Sequence, residues 1–172
     1  MSKVCDFEIH FTRFLDPDGN AITPLPPFAE DADFLRSLYR WMLLTRNFDA
    51  KAVALQRTGR LGTFASSLGQ EAVTVGAATA MKEDDVLVPS FREQGALLVR
   101  GVSMKTQFLY WGGDERGSVY ETNSRDFPNS VPVGTQAPHA AGVAMARKLP
   151  GENGARLCLV GDGASAKGEG ST

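Results

Sequence analysis

The chain has 172 residues, enough for one domain with a buried core, and its 42% hydrophobic and 22% charged residues are ordinary for a globular protein. A net charge of −2 with scattered basic residues excludes a general nucleic-acid footprint, and no apolar run approaches the roughly 20 residues of a membrane span. The first residues, Met1 to Asp6, show no signal core or transit pattern, and Cys5 and Cys158 lack metal-ligand spacing, so we expect a cytoplasmic protein with no membrane or nucleic-acid partner.

Residues 1–30 read as an irregular arm: Asp16-Pro17-Asp18-Gly19-Asn20 is a strong turn, and Pro24, Pro26 and Pro27 oppose helix and central strand alike. Such an arm either drapes over a domain or a partner subunit, or hangs free. The rest, 31–172, reads as one domain. A helix is expected over about 31–58, capped by Asp31 or Asp33, with Leu35, Leu38, Tyr39, Met42 and Leu43 at helical spacing and Gly59 ending it. A second helix is expected to start near Ser67, where Ser67 and Gln70 have capping-box spacing. Its Ala72, Val73, Gly76, Ala77 and Ala80 form a small-residue face for close helix packing. Asp85 to Pro89 reads as a short buried strand. A helix is expected next over about 93–100, stopped by Gly101, and another runs from a Ser103 cap to about Trp111. Residues 112–129 read as a long loop of the kind that often carries function. Thr135 to Leu149 is a helix of small residues ended by Pro150-Gly151, and 155–160 is an apolar strand holding Cys158, most simply an inert buried thiol. Strands alternating with helices predict an α/β fold, a parallel sheet with helices on both faces.

Three places can carry chemistry. Gly161-Asp162-Gly163 after an apolar strand is either one half of a diphosphate–metal site or a tight turn whose Asp caps the next helix. Glycines admit phosphate close to the backbone, and a carboxylate is a hard ligand suited to Mg²⁺. Arg92, just past a strand end, either grips phosphate or pairs at the surface with Glu93 or Glu71. The segment from Ser130 to Gln136 is either an oxygen cage for a monovalent cation or an ordinary helix entry. His139 near that entry is read as structural.

Together these segments carry a resemblance. Leu55 to Gly62, Ser67-Leu68-Gly69-Gln70-Glu71-Ala72, Ser90-Phe91-Arg92-Glu93-Gln94-Gly95, Pro132-Val133-Gly134-Thr135-Gln136 and Gly161-Asp162-Gly163-Ala164 occur in this order. The chain resembles the alpha subunits of the thiamine-diphosphate-dependent 2-oxo acid dehydrogenases over nearly its whole length. The bacterial pyruvate dehydrogenase branch is the expected one, with the branched-chain 2-oxo acid branch as near relative.

That resemblance implies a thiamine-diphosphate-binding fold, with 31–172 as the N-terminal part of its domain, incomplete at the C-terminus. It places Mg²⁺ on Asp162, the diphosphate on Arg92, Gly161, Gly163 and Ala164, and the bent cofactor over Val133. Phe91 stands where many members carry a Tyr whose hydroxyl also reaches phosphate. Ser130, Pro132, Thr135 and Gln136 match a potassium site, and Phe64 and Gln70 lie near the substrate entrance. The implied activity is oxidative decarboxylation of a 2-oxo acid with acyl transfer to a lipoyl group. The implied partners are a beta subunit, which brings the activating glutamate in an α2β2 assembly, and a lipoyl-bearing acyltransferase. No catalytic residue is expected in this chain. Family members are longer and carry a downstream Asn-Asn segment that completes the metal site, so the chain is expected to be a fragment, inactive alone. Two other readings compete: a non-catalytic remnant that only associates with family subunits, and an unrelated phosphate-binding module.

Overall fold

The computed structural model describes residues 5–122, 125–149, 151 and 153–167. It divides into two compact units, residues 1–36 and 37–172. In the first, the Asp16 carboxylate accepts the backbone N–H groups of Asp18 (2.9 Å) and Asn20 (2.8 Å), Gly19 adopts φ +87°, and Leu15 and Ala21 form an antiparallel bridge. A 3-10 turn at Pro27–Glu30 leads to helix α1 (Ala32–Arg57). Asp31 caps it, its Oδ1 accepting from the N–H groups of Asp33 (3.1 Å) and Phe34 (2.9 Å). Asp33 pairs instead with Arg36.

In the second unit the remaining elements are α2 (Glu71–Thr79), β1 (Val86–Val88), α3 (Gln94–Val99), α4 (Met104–Trp111), α5 (Gln136–Lys148) and β2 (Arg156–Cys158). The two strands pair in parallel, Val86 opposite Arg156, Leu87 opposite Leu157 and Val88 opposite Cys158. The Asp85 carboxylate ties the strand starts together by accepting from Lys82 N–H (2.7 Å) and Ala155 N–H (2.6 Å). Val86, Leu87 and Val88 are all fully buried, so both faces of β1 are covered, as a parallel strand requires. Leu87 joins Ala78 of α2, Ala96 and Leu97 of α3 and Val102 in one core, with Leu157 and Leu159 packed against it. A second core sets Ala52 of α1 with Leu61 and Trp111, against which Phe64 and Phe91 pack.

The other edge of β1 is lined by residues 126–130. Phe127 N–H donates to Leu87 O (2.9 Å), Leu87 N–H donates to the Asp126 carboxylate (2.8 Å), and Ser130 N–H reaches Ser90 O (3.3 Å). Asp126 is in turn gripped by Arg100 (2.7 and 3.1 Å), both side chains being buried. The expected long loop therefore contains a segment that runs along the sheet. It also holds a 3-10 turn at Glu115–Ser118.

The expected stops and caps recur: Gly101 has φ +90°, and Ser103 Oγ accepts from Thr106 N–H (3.1 Å). Two readings near α2 are corrected. The helix begins at Glu71 rather than near Ser67, because Gly69 adopts a left-handed φ of +88° that no α-helical turn accommodates, in a loop whose Ser67 N–H is anchored on Asp49 (2.7 Å). The small-residue face is not the packing face: Ala72, Val73, Gly76 and Ala80 are exposed, and Thr74, Val75 and Ala78 are buried. Close approach to α3 is supplied from the other side by Gly95, where a Cβ would lie 2.6 Å from Thr74 Oγ1 and 2.9 Å from Thr45 Oγ1. The last strand covers 156–158 within the expected 155–160. Pro150, at the expected end of α5, lies outside the described residues. Among the described residues no helix is long and apolar enough to cross a membrane.

Candidate functional site

Parallel pairing puts the C-terminal ends of β1 and β2 at one edge of the sheet, where open α/β folds place ligands. The chain leaves β1 through Pro89 into Ser90-Phe91-Arg92-Glu93, and leaves β2 through Leu159-Val160 into Gly161-Asp162-Gly163-Ala164. A cleft of about 500 Å³ lies between these ends, also lined by Gln70, Val73 and Thr74 from the start of α2 and by Val133, Gly134 and Gln136 at the entry to α5. Phe91, Arg92, Val133, Gly161, Asp162, Gly163 and Ala164, residues singled out from the sequence, thus share one wall system, and Gln70 joins them. Phe64 does not line it; its ring packs edge-on to Trp111, 5.2 Å between centroids.

Asp162 opens a 3-10 turn (Asp162–Ala164), with Oδ1 accepting from Gly163 N–H (2.9 Å) and the side chain exposed. A Cβ built on Gly161 or Gly163 would meet nothing within 4 Å, so the backbone there is open to a ligand. Arg92 pairs with neither Glu93 nor Glu71. One guanidinium N–H donates to the Ser66 carbonyl and the group stands 5.4 Å from the Phe91 ring centroid. A guanidinium carries five donors in a planar fork, so this single bond leaves it able to bind an anion. Glu71 is occupied by Arg46, whose Nε lies 2.5 Å from Oε1, and this hydrogen bond holds the Glu71 carboxyl down to about 2. Glu93 is buried, which pushes its carboxyl up; its Oε2 accepts the backbone N–H of Arg92 (3.0 Å).

At the α5 entry, Ser130 Oγ and Thr135 Oγ1 lie 3.0 Å apart, and Thr135 Oγ1 donates to Pro132 O (3.0 Å). The buried Gln136 amide donates to Ser130 O (2.8 Å) and Pro132 O (3.4 Å). Oxygens of Ser130, Pro132 and Thr135 therefore converge on this turn, and the Gln136 amide nitrogen is hydrogen-bonded to two of the carbonyls. Gly134 holds the turn at φ +95° beside Lys167. His139 lies outside the cleft lining, its ring 5.9 Å from that of Phe127. Burial raises the Cys158 thiol, which favours the inert reading.

The donor set suits one end of a diphosphate with its metal: a fork of cationic donors, an exposed carboxylate and open glycine backbone. Among the described residues no three His, Cys, Asp or Glu side chains cluster as a metal site. A divalent ion held by Asp162 would thus draw its other oxygens from phosphate, water or residues elsewhere.

Sequence comparison decides the family. Residues 39–171 match the family described as "Dehydrogenase E1 component". The chain belongs to this family. It is similar to the "Pyruvate dehydrogenase E1 component subunit alpha" of Acholeplasma laidlawii, 42% identical over 135 residues, which make up 78% of this chain and 39% of that protein. The "3-methyl-2-oxobutanoate dehydrogenase subunit alpha" of Mycobacterium tuberculosis is 41% identical over the same span length, 78% of this chain and 37% of that protein. The "Pyruvate dehydrogenase E1 component subunit alpha" of Mycoplasma genitalium is 33% identical over 154 residues, 90% of this chain and 43% of that protein. The chain thus spans about two fifths of the length of these E1 alpha relatives.

Sequence reasoning missed part of the site. Ser66 and Gln94 were not singled out, yet Ser66 holds Arg92, and the fully buried Gln94 donates to Ala65 O (3.1 Å) and Phe91 O (3.2 Å). Asp49 was missed as well. It falls on the Thr45-Phe48-Asp49-Ala52 stripe buried by α1, and a carboxylate on an apolar stripe is a signal of a buried, bonded acid.

Proposed function

We propose that this chain provides the diphosphate end of the thiamine-diphosphate site in an E1 alpha subunit acting on pyruvate. Residues 31–172 would form the N-terminal part of the cofactor domain, a parallel sheet with helices on both faces, and 1–30 would be an arm. The observation that carries this reading is the convergence of Arg92, Asp162, Gly161, Gly163 and Val133 in one cleft at the C-terminal ends of two parallel strands.

When bound, thiamine diphosphate supplies a ring carbon that takes up the 2-oxo carbon and accepts the electrons released as CO₂ leaves. This chain's residues bind and orient. Arg92 neutralises phosphate charge through its N–H fork, with Phe91 beneath the guanidinium. Asp162 would hold Mg²⁺, and Gly161, Gly163 and Ala164 would let backbone approach the phosphates. Val133, half-exposed in the cleft, supports the rings of the cofactor. Ser130, Pro132, Thr135 and Gln136 would hold K⁺ and so stiffen the turn that presents Val133. Gln70, which lines the cleft, and Phe64, which packs on Trp111 outside its lining, would lie near the substrate entrance. Proton movement, acyl transfer to the lipoyl-bearing acyltransferase and completion of the metal site fall to the beta subunit of an α2β2 assembly and to the rest of a full-length alpha chain.

Calorimetric titration with thiamine diphosphate, with and without Mg²⁺, of an alpha–beta assembly whose metal site is complete tests the cofactor assignment. We expect magnesium-dependent heat that Asp162→Ala abolishes, since the ion loses its carboxylate ligand. Unchanged affinity in that variant rejects the role. A second reading, a branched-chain substrate, is favoured by the 41% identical relative named for 3-methyl-2-oxobutanoate. Decarboxylation assays on the assembled enzyme with the two 2-oxo acids distinguish them: faster turnover of pyruvate supports the first reading, and of 3-methyl-2-oxobutanoate the second.

A further inference from the structure

The anion-facing Arg92 is held by a relay that starts outside the cleft. Asp49, in the middle of α1 and only 3% exposed, uses both carboxylate oxygens on one loop. Its Oδ2 accepts from Ser66 Oγ (2.7 Å), and its Oδ1 accepts from Ser67 N–H (2.7 Å) and Ser67 Oγ (3.4 Å). The Ser66 peptide held in this way presents its carbonyl to the Arg92 guanidinium. Next to it, the Ala65 carbonyl takes the Gln94 amide (3.1 Å). The 65–66 backbone is therefore an acceptor strip, anchored behind by α1 and read in front by the turn from β1 to α3. One turn earlier on α1, Arg46 holds Glu71, whose Oε2 accepts Gly69 N–H (3.0 Å). That second anchor fixes the far end of the loop and does not touch the strip.

We propose that Asp49 is a positioning residue for Arg92, acting through the Ser66 peptide to aim the guanidinium at a diphosphate. A long, flexible side chain at the rim of an open cleft loses rotamer entropy when it grips an anion; fixing one of its donors beforehand on a rigid carbonyl lowers that cost. The carboxylate suits the role because it accepts a backbone N–H and a hydroxyl at once, and charge-assisted acceptors are the stronger ones. The diphosphate as the anion rests on the function proposed above; the relay itself rests on the hydrogen bonds alone.

The test reads Arg92 directly. Phenylglyoxal labelling of the full 172-residue chain, mapped by mass spectrometry, gives the rate at Arg92 relative to the exposed Arg57. Ser66→Ala, which removes the Oδ2 bond alone, is expected to raise that ratio about fivefold, the population change that goes with losing one hydrogen bond, and Asp49→Ala, which removes the Oδ1 bonds as well, is expected to raise it further. Asp49→Asn keeps an acceptor for Ser67 N–H and is expected to return the ratio most of the way. Glu71→Gln loosens the other end of the same loop and is expected to leave it unchanged. An unaltered ratio in Ser66→Ala overturns the relay, and Ser66→Ala decides the matter even if Asp49→Ala does not fold. An equal rise in Glu71→Gln also overturns it, because the effect is then general loosening. Magnesium pyrophosphate added to the labelling reaction separates the two readings. Protection of Arg92 in the unaltered chain, weakened in Ser66→Ala, supports both. No protection, with the Ser66→Ala acceleration intact, rejects the diphosphate reading and keeps the relay.

Discussion

Glu71 shows how a single residue type reads differently before and after folding. In the sequence it is a candidate partner for Arg92. In the structure it is buried at the first turn of α2, accepts Arg46 and Gly69 N–H, and its carboxyl is held at about 2 from an ordinary 4.5. Because the folded value is depressed, the stabilisation is fully present above pH 4.5, where the unfolded chain has ionised, and is lost as pH falls toward 2. Glu71→Gln is therefore expected to lower stability at pH 7 and to flatten its decline below pH 4.5. The loss should be about 1–2 kcal/mol, because Arg46 remains half-exposed and solvent screens the pair. Chemical denaturation at a series of pH values checks this; parallel profiles for the two proteins would remove the ion pair from the account. Glu93 carries the opposite sign: burial raises its carboxyl, so its charged form weakens the fold once pH rises through the folded value. Cap and turn residues such as Asp31, Gly101 and Ser103 were legible in the sequence because their effect is local. Asp49 and Ser66 were not, because their partners are 17 and 26 residues away along the chain.

Among the elements, the packing of α2 on α3 is the clearest departure from pattern reading. Small residues occur around most of α2, so a small-residue face does not identify the buried one. The decisive residue is on the partner helix, where Gly95 leaves room for Thr74 and Thr45. A Cβ at 2.6 Å from Thr74 Oγ1 must displace a buried side chain, so Gly95→Ala is expected to cost about 1–3 kcal/mol. Adding Thr74→Ala should recover part of it, since the 2.9 Å approach to Thr45 remains. Thermal unfolding of the two variants checks the order; a neutral Gly95→Ala would place the helices farther apart than described. The parallel pairing of β1 and β2 was readable from strand–helix alternation. The pairing of 126–130 along β1 was not, since Asp126 substitutes a carboxylate for a backbone acceptor and leaves no strand pattern in the sequence.

At the scale of the molecule, the site arises from topology. Two short parallel strands whose ends point the same way bring Arg92 and Asp162, 70 positions apart in the chain, to one cleft. The order of the motifs carried the family in the sequence. The supporting shell behind those motifs answers to packing, which residue types alone do not reveal. The central claim is that this cleft receives a magnesium diphosphate, and amide chemical-shift mapping on titration with magnesium thiamine diphosphate tests it most directly. The account predicts that the largest shifts fall on Arg92, Val133 and Gly161 to Ala164, with the amides around Arg57 and Leu109 unmoved. Shifts spread over the surface, or centred away from the ends of β1 and β2, would contradict it.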